Sequence, residues 1–239
     1  MARPALPEGL AGNVMGVVAP VSAIADVLAL WGMDGWLTPP LAPVVAASAV
    51  VSGRALTVQL AHDTSGPGLS PIYDVLSSDL RDRVVVIAGA RPVPGAVFGE
   101  ILAGAARQQG AVGVLVDGWV RDRDDMTAIG LPVLAAGERV VGPNGSAHLL
   151  SVGEMVAVDG VAVDDGDVIV IDPSGCVRIP AARADAVLDA AARYAAAEVL
   201  VAEALAAGEP LAAAYRHKRA MLAELAELAQ LASDRDGRG

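Results

Sequence analysis

Two hydrophobic rhythms alternate along this chain: apolar residues every three or four positions in some stretches, every second position or unbroken in others. From Pro20 to Gly32, Ile24, Val27, Leu28 and Trp31 share one face, Ser22 is placed to cap, Gly32 to stop, and Asp26 lies opposite; the pattern predicts a helix. The proline-rich Leu37 to Pro43 can neither extend a helix nor sit inside a sheet. Val50 to Leu60 alternates as a strand, with Gly53 expected to break or bulge it. After the loop His62 to Gly68, Ser70 to Leu80 reads as a helix and Arg83 to Ala88 as a buried strand.

Gly89 to Phe98, with two glycines and two prolines, is an irregular connector in which Arg91 is either a ligand-facing cation or a surface residue. A helix then opens at Glu100, carries Ile101, Leu102, Ala105 and Ala106, and breaks at Gly110; Val112 to Val116 is a buried strand and Asp117 to Asp125 a loop. Gly130 to Ala135 is a further short strand, Val140 to Gly145 a turn-rich link, and His148 a lone histidine of structural or exposed type. Val156 to Ile171 alternates and turns at Asp159-Gly160 and Asp165-Gly166, as short paired strands do. Pro180 to Gly208 is a long Ala-rich helix, and Leu211 to Ala232 another, with Leu222, Leu225, Leu228 and Leu231 as its stripe; Asp234 to Gly239 is expected to be disordered. This divides the chain into a main domain, 1–209, and a helical extension, 210–239.

Composition narrows the function classes. At 239 residues and 54% hydrophobic content the chain can bury a large core. A net charge of −11 without a basic run disfavours a nucleic-acid partner. The lone Cys176 excludes an internal disulfide and fits a reducing cytoplasm; no signal peptide pattern opens the chain, and no apolar run reaches the roughly 20 residues of a membrane span. CxxC, HExxH, P-loop and GxGxxG motifs are absent, and the sole lysine, Lys218, sits in the terminal extension, which makes a Schiff-base enzyme improbable. The pair His62-Asp63 carries no second histidine or cysteine nearby, so its loop either lines a pocket or simply turns. Asp159, Asp164, Asp165, Asp167 and Asp172 lack the order of a calcium loop and read as turn residues.

The candidate chemistry lies between residues 99 and 125. The first amides of the helix, at Glu100, Ile101 and Leu102, have no intrahelical partner and form an anion site at the positive end of the dipole. The following strand delivers Arg121 and Asp122 to its carboxyl end, where open α/β sheets bind ligands. An arginine there grips or stabilises an oxyanion, and an aspartate is a hard oxygen ligand for a divalent ion.

Glu100, followed after twenty residues by Arg121 and at once by Asp122, with Asp125 beyond, resembles the D-x20-R-D pattern of the RraA-like family. That family includes metal-dependent 4-hydroxy-4-methyl-2-oxoglutarate/4-carboxy-4-hydroxy-2-oxoadipate aldolases and the regulator of RNase E activity. The early helix, the G-x-P-V strand at Gly130, the Val156 to Asp172 segment with Asp165 where proline is usual, and Leu205 to Glu209, similar to L-x-A-G-E, extend the likeness. Two departures are Trp119, where a small residue is usual, and the Gly89 to Phe98 loop. Were the segment extended, Trp119 would share a side with Arg121 and reshape the pocket.

The resemblance implies a layered α/β/β/α sandwich of the swivelling β/β/α type with C-terminal helices. It implies a Mg²⁺- or Mn²⁺-dependent lyase that cleaves a carbon–carbon bond of a 2-oxo acid through a pyruvate enolate, either a 4-hydroxy-2-oxo diacid or oxaloacetate. Asp122 would hold the metal, Arg121 would stabilise the enolate, Glu100 would orient Arg121 or the substrate, and the amides from Gly99 to Leu102 would hold the carboxylate. Glu198, from a neighbouring subunit of a homotrimer or hexamer, would act through a metal-bound water. The alternatives are a non-catalytic regulator that binds a protein partner and a biosynthetic enzyme that reuses the enolate site on another substrate.

Overall fold

The computed structural model describes residues 16–236 apart from 18, 66 and 67, with side chains described as far as residue 226. The residues before 16, where no signal peptide was expected, lie outside it, as do the side chains of Leu228 and Leu231.

Strict alternation on the strands builds the fold. The elements run α1 Val21–Leu30, β1 Ala42–Val45, β2 Val51–His62, α2 Pro71–Leu76, β3 Arg83–Ala88, α3 Glu100–Gln108, β4 Gly113–Val120, α4 Arg123–Ile129 and β5 Val133–Glu138. They continue with β6 Ala147–Val152, β7 Val156–Val158, β8 Val161–Val163, β9 Val168–Asp172, β10 Gly175–Ile179, α5 Ala184–Ala206, α6 Leu211–Ala214 and α7 Arg216–Asp236. An eight-stranded sheet has the order β1-β5-β4-β3-β2-β9-β10, and β6 also pairs with β2; β7 and β8 form a hairpin. Strands β2 to β5 are parallel neighbours, with α2, α3 and α4 as their crossovers, and β9 turns back antiparallel on the first residues of β2.

Successive residues of each buried strand enter different cores. Val85, Ile87, Val114 and Val116 pack under α2, α3 and α4 together with Ile72, Ala103, Ala106 and Met126. Their neighbours Val84, Val86 and Leu115 face the opposite way, onto Ile169, Ile171, Cys176 and the β7–β8 valines. The other side of β9 and β10, Val168, Val170, Val177 and Ile179, meets α1, α5 and α7 through Ile24, Val27, Val187 and Leu225. The one large sheet thus folds back on itself into two layers between helices, giving the expected α/β/β/α sandwich with its C-terminal helices. Among the described residues no helix is long and apolar enough to cross a membrane.

Several elements depart from their expected bounds. Strand β2 runs through Gly53 without a bulge; glycine is needed there because a Cβ would lie 2.7 Å from Val112 Cγ2 and 2.9 Å from the Asp82 carbonyl. The register shift falls instead between Gln59 and Leu60, within the pairing of β2 with β6, which takes over from β9 beyond Arg54. Strand β4 continues to Val120 and α4 starts at Arg123, so the expected loop of nine residues contracts to Arg121 and Asp122. Helix α7 carries on to Asp236, past the start of the expected disordered tail.

Helix α1 is not capped by Ser22. Its first amide, at Val21, donates to Oδ2 of the buried Asp172, 2.8 Å away, while Oδ1 accepts from the Ser174 amide at 2.8 Å. Two further acids of the segment are also structural: Asp167 accepts from Arg178 and from the Ala181 amide, and Asp165 from Arg83 and the Thr57 amide. Burial pushes the Cys176 thiol up to about 12, which leaves it inert as a nucleophile at neutral pH.

Asp172→Ala leaves the Val21 amide buried without an acceptor and is expected to cost about 1–2 kcal/mol in urea unfolding. Asp172→Asn, which retains an acceptor oxygen, should cost less; equal stability of wild type and Asp172→Ala would show the cap to be idle.

Candidate functional site

The end of β4 and the start of α3 are held side by side by main-chain hydrogen bonds. Val97 N donates to Trp119 O at 2.9 Å and Arg121 N to Phe98 O at 3.1 Å, and Phe98 and Val120 form a parallel bridge. On the far side of this ribbon Ala96 N donates to Val141 O, and Arg139 N to Val120 O. The connector of residues 96–98 is thereby stitched between β4 and the segment after β5, and it delivers Gly99 as the cap residue of α3.

Gly99 is extended, a conformation any residue adopts, so the need for glycine is one of space. A Cβ at Gly99 would lie 2.8 Å from Asp122 Oδ2 and 3.1 Å from Arg121 Cγ. Asp122 itself has φ 61° and ψ 44°, left-handed for a non-glycine residue, which costs on the order of 1–2 kcal/mol but which a short polar side chain tolerates best. It precedes α4, yet its carboxylate makes no capping bond. Instead Oδ2 lies 3.4 Å from Arg121 Nε, with the two side chains 46% and 38% exposed. A pair so open to solvent contributes only about 0–1 kcal/mol, so Arg121 can exchange this partner for a ligand at little cost.

These groups open onto a cleft of about 780 Å³, lined by Phe98, Gly99, Glu100, Ile101, Leu102, Arg121 and Asp122, by Leu69, Tyr73, Leu76 and Ser77 around α2, and by Pro143 and Gly145. Arg121 runs past Gly142, where a Cβ would sit 3.5 Å from its Nη1. The structure therefore brings together Gly99, Glu100, Ile101, Leu102, Arg121 and Asp122. The α2 wall and the 142–145 loop were missed by sequence reasoning; their sole signal was an aromatic residue, Tyr73, in a short segment otherwise expected to pack.

Other candidates lie elsewhere. Trp119 does not line the cleft: β4 ends at Val120, so Arg121 already lies outside the strand whose alternation Trp119 follows. Its ring lies against Gly137 with the Arg139 guanidinium 4.1 Å from the centroid. Arg91 is engaged at 2.7 Å with the buried Asp117 and does not line the cleft. In the His62 loop, Asp63 accepts from the amide and hydroxyl of Ser65, an ordinary turn, and that backbone bond first and the hydroxyl second hold its carboxyl below the usual range.

Glu198 lies in the helical layer on the far side of both sheets, where Lys218 binds it at 2.7 Å. Lys218 Nζ also sits 4.6 Å from the Tyr194 ring centroid, and the Tyr194 hydroxyl donates to Asp26 Oδ2 at 2.7 Å, so Asp26 is a helix-to-helix tie. Burial alone would lower the pKa of Lys218, but hydrogen bonds with Glu198 and Tyr194 outweigh it and hold the ammonium above the usual lysine range. A raised folded-state pKa means that the pair's stabilisation is full below the ordinary lysine value of about 10.4 and fades as pH climbs above it.

A family model described as "RraA-like: Aldolase/RraA" matches residues 21–178. An uncharacterised protein of Methanocaldococcus jannaschii is 33% identical over 142 residues, covering 57% of this chain and 64% of that protein, a little under two thirds of its length. A protein of Halalkalibacterium halodurans named "Putative 4-hydroxy-4-methyl-2-oxoglutarate aldolase" is 29% identical over 172 residues, covering 72% and 78%. The crystal structure of an uncharacterised protein from Pseudomonas syringae pv. tomato superposes with a TM-score of 0.72 at 27% identity, covering 82% of this chain and 92% of that one.

Glu198→Ala is expected to weaken the docking of α7 by about 0.5–1 kcal/mol, seen as faster amide exchange over residues 216–236. Its effect and that of Lys218→Ala should fail to add in a double-mutant cycle; full additivity would mean that the two side chains do not act as a pair.

Proposed function

The chain belongs to the RraA-like family, and on that premise we propose that it is a divalent-metal-dependent lyase that breaks a carbon–carbon bond next to the enolisable carbon of a 2-oxo acid. The observation that carries this reading is the contact of Gly99 with Asp122 and Arg121, which sets a carboxylate, a guanidinium and the free amides of a helix start around one cleft.

The donor set suits Mg²⁺ or Mn²⁺. Such a cation takes one or two protein carboxylates and completes its shell with water and substrate oxygens, and the uncapped, half-exposed Asp122 is a carboxylate of that kind. Among the described residues no group of three or more histidine, cysteine or acidic side chains forms a closed cage, so Asp122 is the residue we assign to hold it. When bound, the ion supplies a Lewis acid for the keto and carboxylate oxygens of the substrate.

The chain's own groups do the rest. The amides of Glu100, Ile101 and Leu102 receive the substrate carboxylate at the positive end of α3. Arg121, released from its weak pair with Asp122, donates to the oxygen on which negative charge grows as the bond breaks. Glu100, at the first position of the helix, orients the substrate and takes the proton of the hydroxyl beside the breaking bond as that oxygen becomes a carbonyl. The relative named for 4-hydroxy-4-methyl-2-oxoglutarate supports a substrate with this 2-oxo acid head. Assembly as a homotrimer or hexamer in the cytoplasm is part of the same proposal; the exposed Val199, Leu200, Leu205 and Leu211 on α5 and α6 are apolar surface available for contacts between copies.

The test requires only the head of the substrate. The protein with Mg²⁺ should exchange the methyl protons of pyruvate for deuterium in D₂O, followed by NMR, and EDTA should abolish it. Asp122→Asn should fall to the EDTA rate, Arg121→Met by about 10²–10³-fold, and Gly99→Ala by about a hundredfold through displaced ligands. Exchange absent from the wild type, or undiminished in Asp122→Asn, would remove the lyase and leave a family member that binds without catalysis.

A further inference from the structure

We propose that the substrate is a 2-oxo acid with a single carboxylate and an apolar group at C4, rather than a diacid; this rests on the lyase reading above. Among the described residues that line the cleft, the charged side chains are Glu100, Asp122 and one cation, Arg121. That cation faces the helix start, where the carboxylate next to the keto group is to be held, and already neighbours a carboxylate of its own. Among the described residues of the cleft, a second substrate carboxylate finds no further cation. It would also enter the field of a chain with a net charge of −11.

What the cleft offers beyond its head is apolar. Leu102 and Ala105 continue along α3 from Glu100, and Leu69, Tyr73 and Leu76 face them from around α2. With a rise of 1.5 Å per residue, Ala105 lies roughly 7–8 Å along the helix from the Glu100 end. That distance takes a phenyl ring or a short alkyl chain. An ionised group moved there from water without a partner is strongly disfavoured, whereas an apolar one gains by the same transfer. The volume of about 780 Å³ belongs to the range of pockets for drug-sized ligands, more than a small diacid fills.

The reaction is balanced without oxidant or reductant. The C3–C4 bond breaks and its electron pair passes through C3 to the 2-oxo oxygen. The C4 hydroxyl loses its proton and becomes the carbonyl of an apolar aldehyde, and a proton returned to C3 gives pyruvate.

The experiment compares kcat/KM for pyruvate release, with Mg²⁺, from 4-hydroxy-2-oxo-4-phenylbutanoate and from 4-hydroxy-4-methyl-2-oxoglutarate, beside pyruvate deuterium exchange. The phenyl monoacid is expected to be preferred by about tenfold or more. Tyr73→Arg, which puts a second cation at the exposed rim, is expected to shrink that ratio about fivefold or more by improving the diacid. Equal use of the two acids, preference for the diacid, turnover of neither while exchange proceeds, or a ratio untouched by Tyr73→Arg overturns the proposal and leaves the lyase reading standing. Loss of exchange itself removes both.

Discussion

The functional geometry depends on one close approach: the main chain of Gly99 against the side chains of Arg121 and Asp122. Twenty-odd residues separate the two segments along the chain, and what joins them is a pair of main-chain hydrogen bonds, from Val97 to Trp119 and from Arg121 to Phe98. Such bonds do not depend on side-chain identity, so the connector before α3 can vary in sequence and still deliver the helix start to the same place. The left-handed turn at Asp122 is the local strain this arrangement carries, and the hydrogen-bonded ribbon on either side holds it.

The layers behind the site explain why the ribbon is rigid. Strands β3 and β4 are buried on both faces, one toward the helices that flank the cleft and one toward β9 and β10. A strand clamped between two cores has little freedom to slide, because a shift of one residue would exchange the side chains of both. The third core, under α1, α5 and α7, lies farther from the cleft and is tied in polar fashion, by Asp172 at the start of α1 and by the chain of contacts from Asp26 through Tyr194 and Lys218 to Glu198.

Much of this was legible in the order of residues, for reasons that differ from element to element. Strand β3 was found to the residue because RVVVIA is an unbroken apolar run, and the two Asp-Gly turns placed β7, β8 and β9. That Gly99, Glu100, Arg121 and Asp122 meet at one cleft could be expected because a helix start and a strand end carry their own chemistry. Trp119 was misplaced because the strand ends at Val120, one residue before Arg121, and where a strand stops is set by its pairing with neighbours, which periodicity within one segment does not contain. The role of Asp172 as a cap was hidden for a similar reason: it acts on an amide 151 residues away. The α2 wall was unseen because its six residues face both a core and a cleft, and the division between them exists only once β2 and β3 are neighbours.

Arg121 passes between two positions that lack side chains, Gly99 and Gly142. The consequence is a division of labour in how this molecule can diverge. A side chain gained at Gly99 would press on Asp122 and Arg121, 2.8 and 3.1 Å from its Cβ, whereas one at Gly142 would only touch the Arg121 guanidinium, so it is Gly99 that descendants of this chain must keep. The opposite wall, borne on a helix of only six residues with Tyr73 largely in solvent, is under no such constraint and can change without disturbing the groups across the cleft.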